Sequence, residues 1–173
     1  MKLSTVFATL PALAMVVSAA PHLNSRQSQA SKTPVIAKTV TFEFPVASFG
    51  KQIPIFGGYR LVGSIGSGSF SGVFDGTVPF NASIDGGVIA PRFYDNGSVI
   101  VPDITLFGTT TNGLPYYLSE TGVGMTGQSL INFEQFEIGG EYAAASSTFL
   151  IDDLIINFNG GGGNVTGTIY SIV

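Results

Sequence analysis

Residues 39 to 46 read Thr-Val-Thr-Phe-Glu-Phe-Pro-Val, and this stretch decides the fold class. Its apolar side chains occupy every second position, at Val40, Phe42, Phe44 and Val46, and the positions between them are polar or Pro. Successive side chains of a β-strand point to opposite faces of the sheet, so a period of two indicates a strand with one face in the core. We therefore expect a half-buried strand here.

The same alternation recurs elsewhere, at residues 59–65, 99–107 and 165–173. Tight hairpins need residues that accept a positive φ, and Asp-Gly and Asn-Gly dipeptides provide them. Such dipeptides begin at Asp75, Asp85, Asn96, Asn112 and Asn159. The Gly- and Ser-rich residues 66–72 predict a bulge or sharp bend. The only helical expectation beyond the leader is a short turn near residues 142–147.

These patterns predict an all-β domain with short connections. About ten strands would form either a sandwich or a closed barrel, and we favour a single antiparallel β-barrel of about 8–10 strands, because closure leaves no exposed edge. The chain contains no Cys, so packing and sheet hydrogen bonds must stabilise the domain without disulfides. Roughly 150 mature residues can bury about 68–70% of the unfolded surface, which is enough for one core.

The N-terminal residues do not fit the strand pattern. Residues 1–20 combine Lys2 with an apolar stretch that ends in small side chains, which is typical of a cleaved signal peptide. Residues 21–33 are polar, and they form either a disordered leader or a pro-segment cut after Arg26. We expect a secreted β-barrel domain at 34–173, and no later apolar run is long enough to span a membrane.

Charge and composition exclude one class of partner and indicate a modification. The formal net charge is −4 with only seven Lys plus Arg, which excludes the basic surface that nucleic acids require. Three Asn-x-Ser/Thr triplets follow the signal-like segment, and in a secreted chain they predict N-glycosylation. The predicted acceptors are Asn81, Asn96 and Asn164.

The predicted domain lacks the side chains of several common active sites. His22 is the only His and lies in the leader, so Ser-His-Asp and Cys-His catalysis are excluded, as are the usual zinc and copper ligands. Residues 66–72 do not have the spacing of a phosphate-binding loop, and no helix follows them. The acidic residues lack the ordered spacing of a calcium loop, so Asp152-Asp153 and the Glu134, Glu137, Glu141 group read as chance clusters. We therefore predict no cofactor and no metal site.

Carboxylates, arginines and tyrosines remain as candidate site residues. Asp103 shares a strand face with apolar neighbours, so its carboxyl would lie inside the barrel if that face pointed inward. Glu137 is the second candidate, because it lies between Phe136 and Ile138. Burial raises the pKa of a carboxyl toward neutrality, where it can serve as a general acid or base. For all these residues a surface, turn or core role is the alternative. The candidate ligand-binding residues are Arg60, Arg92, Tyr116 and Tyr142.

Several short motifs match one known family in order and spacing. They are Gly57-Gly58-Tyr59-Arg60, Gly68–Gly72, Asp85-Gly86, Asp103, Asn112-Gly113, Tyr116-Tyr117-Leu118 with Gly122, Phe136-Glu137-Ile138-Gly139 with Tyr142, and Tyr170–Val173. On these residues the chain resembles the domain-of-unknown-function 3237 family of small β-barrel proteins, as a secreted fungal-type member. The resemblance implies a lipocalin-like or allene-oxide-cyclase-like barrel with an internal cavity, and it implies no activity. Thr105 stands where the family usually has Arg, so a polar site built on that Arg is not carried over.

Three functions fit these observations. The barrel binds a small apolar or aromatic molecule without chemistry, which we favour. Alternatively, Asp103 and Glu137 catalyse a cofactor-free isomerisation, dehydration or cyclisation. In the third alternative the protein is an extracellular structural component with a filled barrel. Small inward residues near one polar cluster would favour a ligand, and the candidates are Gly63, Ala82 and Gly167.

Overall fold

The computed structural model describes residues 36–74, 77–159 and 161–172. The predicted signal peptide at 1–20, the leader at 21–33 and the Asp75-Gly76 turn lie outside the described residues. Within the described ranges, no helix is both long enough and apolar enough to cross a membrane.

Strands make up most of the described chain. In order they are β1 (Ile36–Phe49), β2 (Ile53–Ile55), β3 (Gly58–Arg60), β4 (Gly63–Ile65), β5 (Gly68–Phe74), β6 (Val78–Ile89), β7 (Arg92–Tyr94), β8 (Val99–Val101), β9 (Asp103–Thr110), β10 (Pro115–Met125), β11 (Leu130–Ile138), β12 (Phe149–Asn159) and β13 (Gly162–Ile172). Two 3-10 segments, Asp95–Gly97 and Gly140–Ser147, interrupt them. The second segment confirms the helical turn predicted near residues 142–147.

The long strands form a closed antiparallel barrel of eight strands. Around the barrel the order is β1, β5, β6, β9, β10, β11, β12 and β13, and β13 pairs with β1. The short β4 continues the path of β5, because it pairs with the same neighbours, β1 and β6. The three-residue strands β8, β7, β3 and β2 extend the sheet from the end of β10. The predicted β-barrel is confirmed, and the sandwich alternative is not found.

The alternation that predicted β1 matches its burial. Val40, Phe42, Phe44 and Val46 are buried, whereas the intervening positions from Thr41 onward are exposed. Each half-buried strand of this kind contributes one stave to the barrel wall and points its apolar side chains inward. The inward residues of all the strands together make the core.

Two of the predicted turns are confirmed and one is wrong. Asn96 and Gly97 adopt positive φ angles of 55° and 91°, and Gly113 with φ of 80° closes the hairpin between β9 and β10. Asp85-Gly86 is not a turn. It lies inside β6, where the pairing with β9 shifts register between Ile84 and Gly86. The Asp-Gly pair therefore marks a β-bulge, which also needs a small residue.

One end of the barrel is filled by aromatic rings. We call Phe70, Phe74, Phe80, Tyr116, Phe136 and Tyr142 the aromatic core. Phe80 is fully buried at its centre, and its ring centroid lies 4.8 Å from that of Phe74 and 5.1 Å from that of Tyr142. The hydroxyls of Tyr116 and Tyr142 donate to the carbonyl oxygens of Ser83 and Pro79, at 2.8 and 2.9 Å. These tyrosines therefore pack inside the fold with their polar ends satisfied.

A small inward residue does not leave a void in β13. A Cβ added at Gly167 would lie 2.4 Å from Cζ of Phe42, so the phenyl ring occupies the space above the glycine. Gly167 therefore permits close aromatic packing and does not line a ligand cavity.

Replacing Phe80 by Ala should test the importance of the aromatic core. The truncation leaves a cavity among several rings, so we expect a loss of about 3–5 kcal/mol in the free energy of unfolding. The matched control is Phe56→Ala, because Phe56 is fully exposed and should change stability by less than about 0.5 kcal/mol. Urea denaturation followed by circular dichroism measures both values. Equal losses in the two variants would contradict the packing argument.

Candidate functional site

A cluster of buried polar side chains lies on the inner face of three neighbouring strands. Glu120 is on β10, Asn132 and Glu134 are on β11, and Asp152 is on β12. We call these four residues the acidic quartet. None of them is more than 3% exposed. The alternation of each strand explains this burial, since every member of the quartet lies two positions from a buried apolar residue on the same face of its strand.

The pairing of the strands brings the quartet together. Glu120 is directly opposite Glu134, and Asn132 is opposite both Gly122 and Asp152. Carboxylate oxygens of Glu120, Glu134 and Asp152 all lie within 4.8 Å of one another. A Cβ at position 122 would lie 2.1 Å from Oδ1 of Asn132, so only Gly leaves room for the Asn132 amide. The arrangement therefore depends on the backbone as well as on the side chains.

The quartet has no compensating partner among the described residues. Its six carboxylate oxygens and both amide atoms of Asn132 are buried without a hydrogen bond of normal geometry to the described chain. The only ion pair within the described ranges joins Arg60 to Asp103 elsewhere. A buried, unpaired charge is costly, so these carboxyls must either hold protons or bind a cation.

Burial raises the pKa of Glu120 and Glu134 well above the ordinary glutamate value, and the nearby Asp152 carboxyl adds to the rise for both. The pKa of Asp152 is also raised by burial. The adjacent Glu120 carboxyl, the Asn132 amide and the Glu134 carboxyl offset part of this rise, because each can favour the ionised form of Asp152. The three groups are close enough to titrate together.

The two carboxylates predicted as catalytic residues both face outward. The side chain of Asp103 is 44% exposed and lies 3.7 Å from the Arg60 guanidinium. Glu137 is exposed, whereas Phe136 and Ile138 beside it are buried. The condition under which Asp103 would lie inside the barrel is therefore not met, and the catalytic role predicted for each residue loses its basis in burial.

The predicted ligand-binding residues do not form one site. Arg60 and Arg92 are directly opposite each other on β3 and β7, outside the barrel wall. Arg60 pairs with Asp103, and Nε of Arg92 has no partner among the described residues. Tyr116 and Tyr142 belong to the aromatic core. The arginines and tyrosines therefore lie on opposite sides of the sheet.

The predicted glycosylation acceptors lie on or near the surface. Asn81 on β6 and Asn96 in its turn are exposed, and Asn164 on β13 is half-buried. The Asn164 side-chain amide donates to Oε1 of Glu43 at 2.9 Å, so the nitrogen that a glycan would modify already makes a contact within the fold. Glycosylation of the three residues stays a prediction.

An open apolar bowl lies at the end of the barrel opposite the aromatic core. We call this cavity the apolar bowl, because its wall contains the apolar side chains of Phe49, Tyr59, Leu61, Phe93 and Phe158. Its volume is about 520 Å³. The rings of Tyr59 and Phe93 stack with centroids 4.9 Å apart, and Phe158 lies 5.6 Å from Phe49 and 5.9 Å from Phe93. No member of the acidic quartet lines this bowl.

The sequence reasoning missed the acidic quartet, although a signal for it was present. Glu134 and Asp152 were assigned to chance clusters, and Glu120 was not considered as a cation ligand. Each of them lies two positions from a buried apolar residue, and therefore on the same face of its strand. These neighbours are Leu118, Phe136 and Leu154, for Glu120, Glu134 and Asp152 in that order. The prediction of no metal site therefore did not take into account this group of residues, which only the fold brings together.

Replacing Glu134 by Gln should change how stability depends on pH after removal of cations with EDTA. The native quartet retains protons that the unfolded chain releases above its ordinary carboxyl pKa of about 4, so wild-type stability should fall as the pH rises from 5 to 8. The variant has one titrating group fewer, so its stability should decrease less over the same pH range.

Urea denaturation at several pH values measures the slope. Glu137→Gln is the control for this stability test, because it removes an exposed carboxyl from the same strand. Parallel slopes for the wild type and Glu134→Gln would show that the quartet carries no retained protons.

No family model matches this chain, and no curated protein matches it. The resemblance to the domain-of-unknown-function 3237 family therefore stays a prediction.

Several solved structures are similar in fold. A conserved protein of unknown function from Rhodopseudomonas palustris aligns with a TM-score of 0.64 and 14% identity, over 83% of this chain and 100% of the other. A β-barrel-like protein from Acinetobacter baumannii aligns with a TM-score of 0.61 and 16% identity, over 83% of this chain and 99% of the other. A Penicillium herquei protein described as an enzyme aligns with a TM-score of 0.60 and 12% identity, over 82% of this chain and 96% of the other. The chain thus shares the β-barrel fold of these proteins.

Proposed function

We propose that the protein binds a small, neutral, aromatic or largely apolar molecule in the apolar bowl. The observation that carries this proposal is an open concavity of about 520 Å³ with four aromatic rings in its wall. Small-molecule sites typically enclose about 300–1,000 Å³ and are mostly apolar. The size and lining of the bowl therefore suit a ligand of one to three rings.

The wall of the bowl is held by the sheet. Tyr59 and Phe93 are directly opposite each other on β3 and β7, and Phe49 and Phe158 lie near the ends of β1 and β12. Rings fixed in this way offer large contact areas with little loss of conformational entropy on binding. The pairing of these strands therefore supports a site that exists before the ligand arrives.

The polar groups of the bowl favour a neutral ligand. Among the described residues, its lining includes Gln52, Thr126 and Asn159 but no charged side chain. The Thr126 hydroxyl already donates to the carbonyl oxygen of Gly97 at 2.6 Å, which leaves the two amides to orient a ligand. Arg60 and Arg92 lie outside the bowl, so they do not support an anionic group on the ligand.

The proposed location differs from the internal cavity that the family resemblance implies. The aromatic core fills one end of the barrel, and Phe42 fills the space beside Gly167. Leu130 and Leu154, each at most 1% exposed, separate the acidic quartet from the end that carries the bowl. The ligand would therefore sit at the mouth of the barrel.

The enzymatic alternative has less support than binding. The Penicillium herquei protein with a similar barrel is described as an enzyme, and the acidic quartet contains carboxyls with raised pKa values. However, the quartet does not line the bowl, and Asp103 and Glu137 face outward.

The signal-like residues 1–20 support the proposal that this binding protein is secreted.

Binding of the neutral fluorescent probe N-phenyl-1-naphthylamine should be saturable, and Phe158→Ala should weaken it. Phe158 contacts both Phe49 and Phe93 in the wall, so its loss should raise Kd about tenfold, which corresponds to about 1.4 kcal/mol. Phe56→Ala is the control, because Phe56 is fully exposed outside the bowl and its loss should leave Kd unchanged. A wild type without saturable binding, or a Phe158→Ala variant that binds like the wild type, would refute the proposed site.

Charge on the ligand should weaken binding. At neutral pH, 2-naphthalenemethanol should displace the probe at a lower concentration than 2-naphthoate, because no cation among the described residues lines the bowl to offset the desolvation of a carboxylate. Competition titrations give the two inhibition constants. A preference for the carboxylate would mean that the arginines, or residues beyond those described, contribute to the site.

A further inference from the structure

We propose that the acidic quartet binds one hard divalent cation, through carboxylate oxygens of Glu120, Glu134 and Asp152 and the amide oxygen of Asn132. This site is independent of the apolar bowl, because none of the four residues lines it. The proposal rests on the distances between the donors, their chemistry, their burial without partners and the position of Asn132.

The distances between the donors suit one ion. One oxygen from each of the three carboxylates lies within 4.8 Å of the others. Calcium binds oxygen at about 2.3–2.6 Å, so two ligands on opposite sides of one ion are about 4.6–5.2 Å apart. These separations lie within the span of one coordination sphere, so a single ion could be shared by all three carboxylates.

The donor set consists of oxygen alone. Three carboxylates and one amide carbonyl are the ligands that calcium, manganese and magnesium prefer, whereas zinc and copper sites are usually built on His or Cys. The sequence contains no Cys, and its single His is in the leader. The chemistry therefore indicates a hard cation.

Asn132 provides an observation that the carboxylates alone do not. It is neutral and only 1% exposed, and neither of its amide atoms makes a hydrogen bond of normal geometry within the described chain, although the amide is close enough to the Asp152 carboxyl to favour its ionised form. Its amide lies between Gly122 on β10 and the Asp152 carboxyl on β12. Proton sharing could neutralise three carboxyls without any amide, whereas the buried Oδ1 of Asn132 has no donor of normal geometry within the described chain. A cation uses the amide oxygen as a ligand.

The charge balance points in the same direction. Three ionised carboxylates carry −3, and none of the described Lys or Arg side chains contacts them. A divalent ion would leave one residual negative charge, in a part of the core that is otherwise apolar. Because the ligands come from β10, β11 and β12, the ion would also link three strands of the barrel.

The test uses the full chain after dialysis against EDTA, titrated separately with CaCl₂, MnCl₂ and MgCl₂. Isothermal titration calorimetry should show one saturable site for at least one of these ions. At a hundredfold excess of that ion over its Kd, the thermal midpoint should rise by about 5–10 °C, because the ion binds the folded chain alone.

Asp152→Asn and Asp153→Asn form a matched pair of variants. Asp152 faces inward in the quartet, whereas Asp153 is the next residue of the same strand, faces outward and accepts a hydrogen bond from Ser129. We expect Asp152→Asn to weaken cation binding at least about tenfold, since it removes a ligand charge. Asp153→Asn should bind like the wild type.

Glu134→Gln keeps the shape of the side chain, which guards against a variant that fails to fold. It should be more stable than the wild type in EDTA at neutral pH, because Gln is uncharged without having to hold a proton, and it should lose the increase in thermal midpoint with cation.

Failure of all three ions to bind the EDTA-treated wild type would overturn the proposal. So would equal affinities of Asp152→Asn and Asp153→Asn. In either case the carboxyls would share protons instead, and the probe titrations of the bowl would be unaffected.

Discussion

The pairing of the first strand with the last is the contact on which the rest of the structure depends. β1 and β13 are aligned from Ile36 opposite Ile172 to Val46 opposite Gly163, with one bulge. An open sheet would leave the inner faces of its strands accessible to water, whereas closure encloses them. The burial of the aromatic core and of the acidic quartet both follow from that closure.

The enclosed space is used differently along the barrel axis. Aromatic rings fill one end, where each hydroxyl has a backbone acceptor. The middle carries carboxyls and an amide that have no described partner. The other end opens into an apolar concavity that no charged side chain among the described residues lines. A closed sheet holds these three environments apart, because the register of strand pairing fixes the height of each inward side chain along the barrel axis.

Much of the fold could be predicted from local patterns, because alternation and turn chemistry act over a few residues. The stretch from Thr39 to Val46 correctly indicated a half-buried strand, and Asn112-Gly113 correctly marked a hairpin. Asp85-Gly86 was misassigned because a bulge and a turn require similar residues. The orientation of Asp103 could not be predicted because alternation gives two faces without stating which is inside, although Ile104 and Leu106 make the other face more apolar. Glu120 and Asp152 are 32 positions apart in sequence, so only the pairing of three strands could reveal their proximity.

The absence of a side chain at position 122 also constrains how the protein can evolve. A Cβ there would meet Oδ1 of Asn132 at 2.1 Å and also the backbone carbonyl oxygen of Ile131 at 2.3 Å, so a change of Asn132 alone would not make room for a side chain. Related barrels with the same strand register should therefore keep Gly here whatever residue stands at 132, whereas the exposed position 137 can vary freely. The residue opposite that invariant Gly would then distinguish homologues that retain the polar interior from those in which the same strands enclose an apolar core.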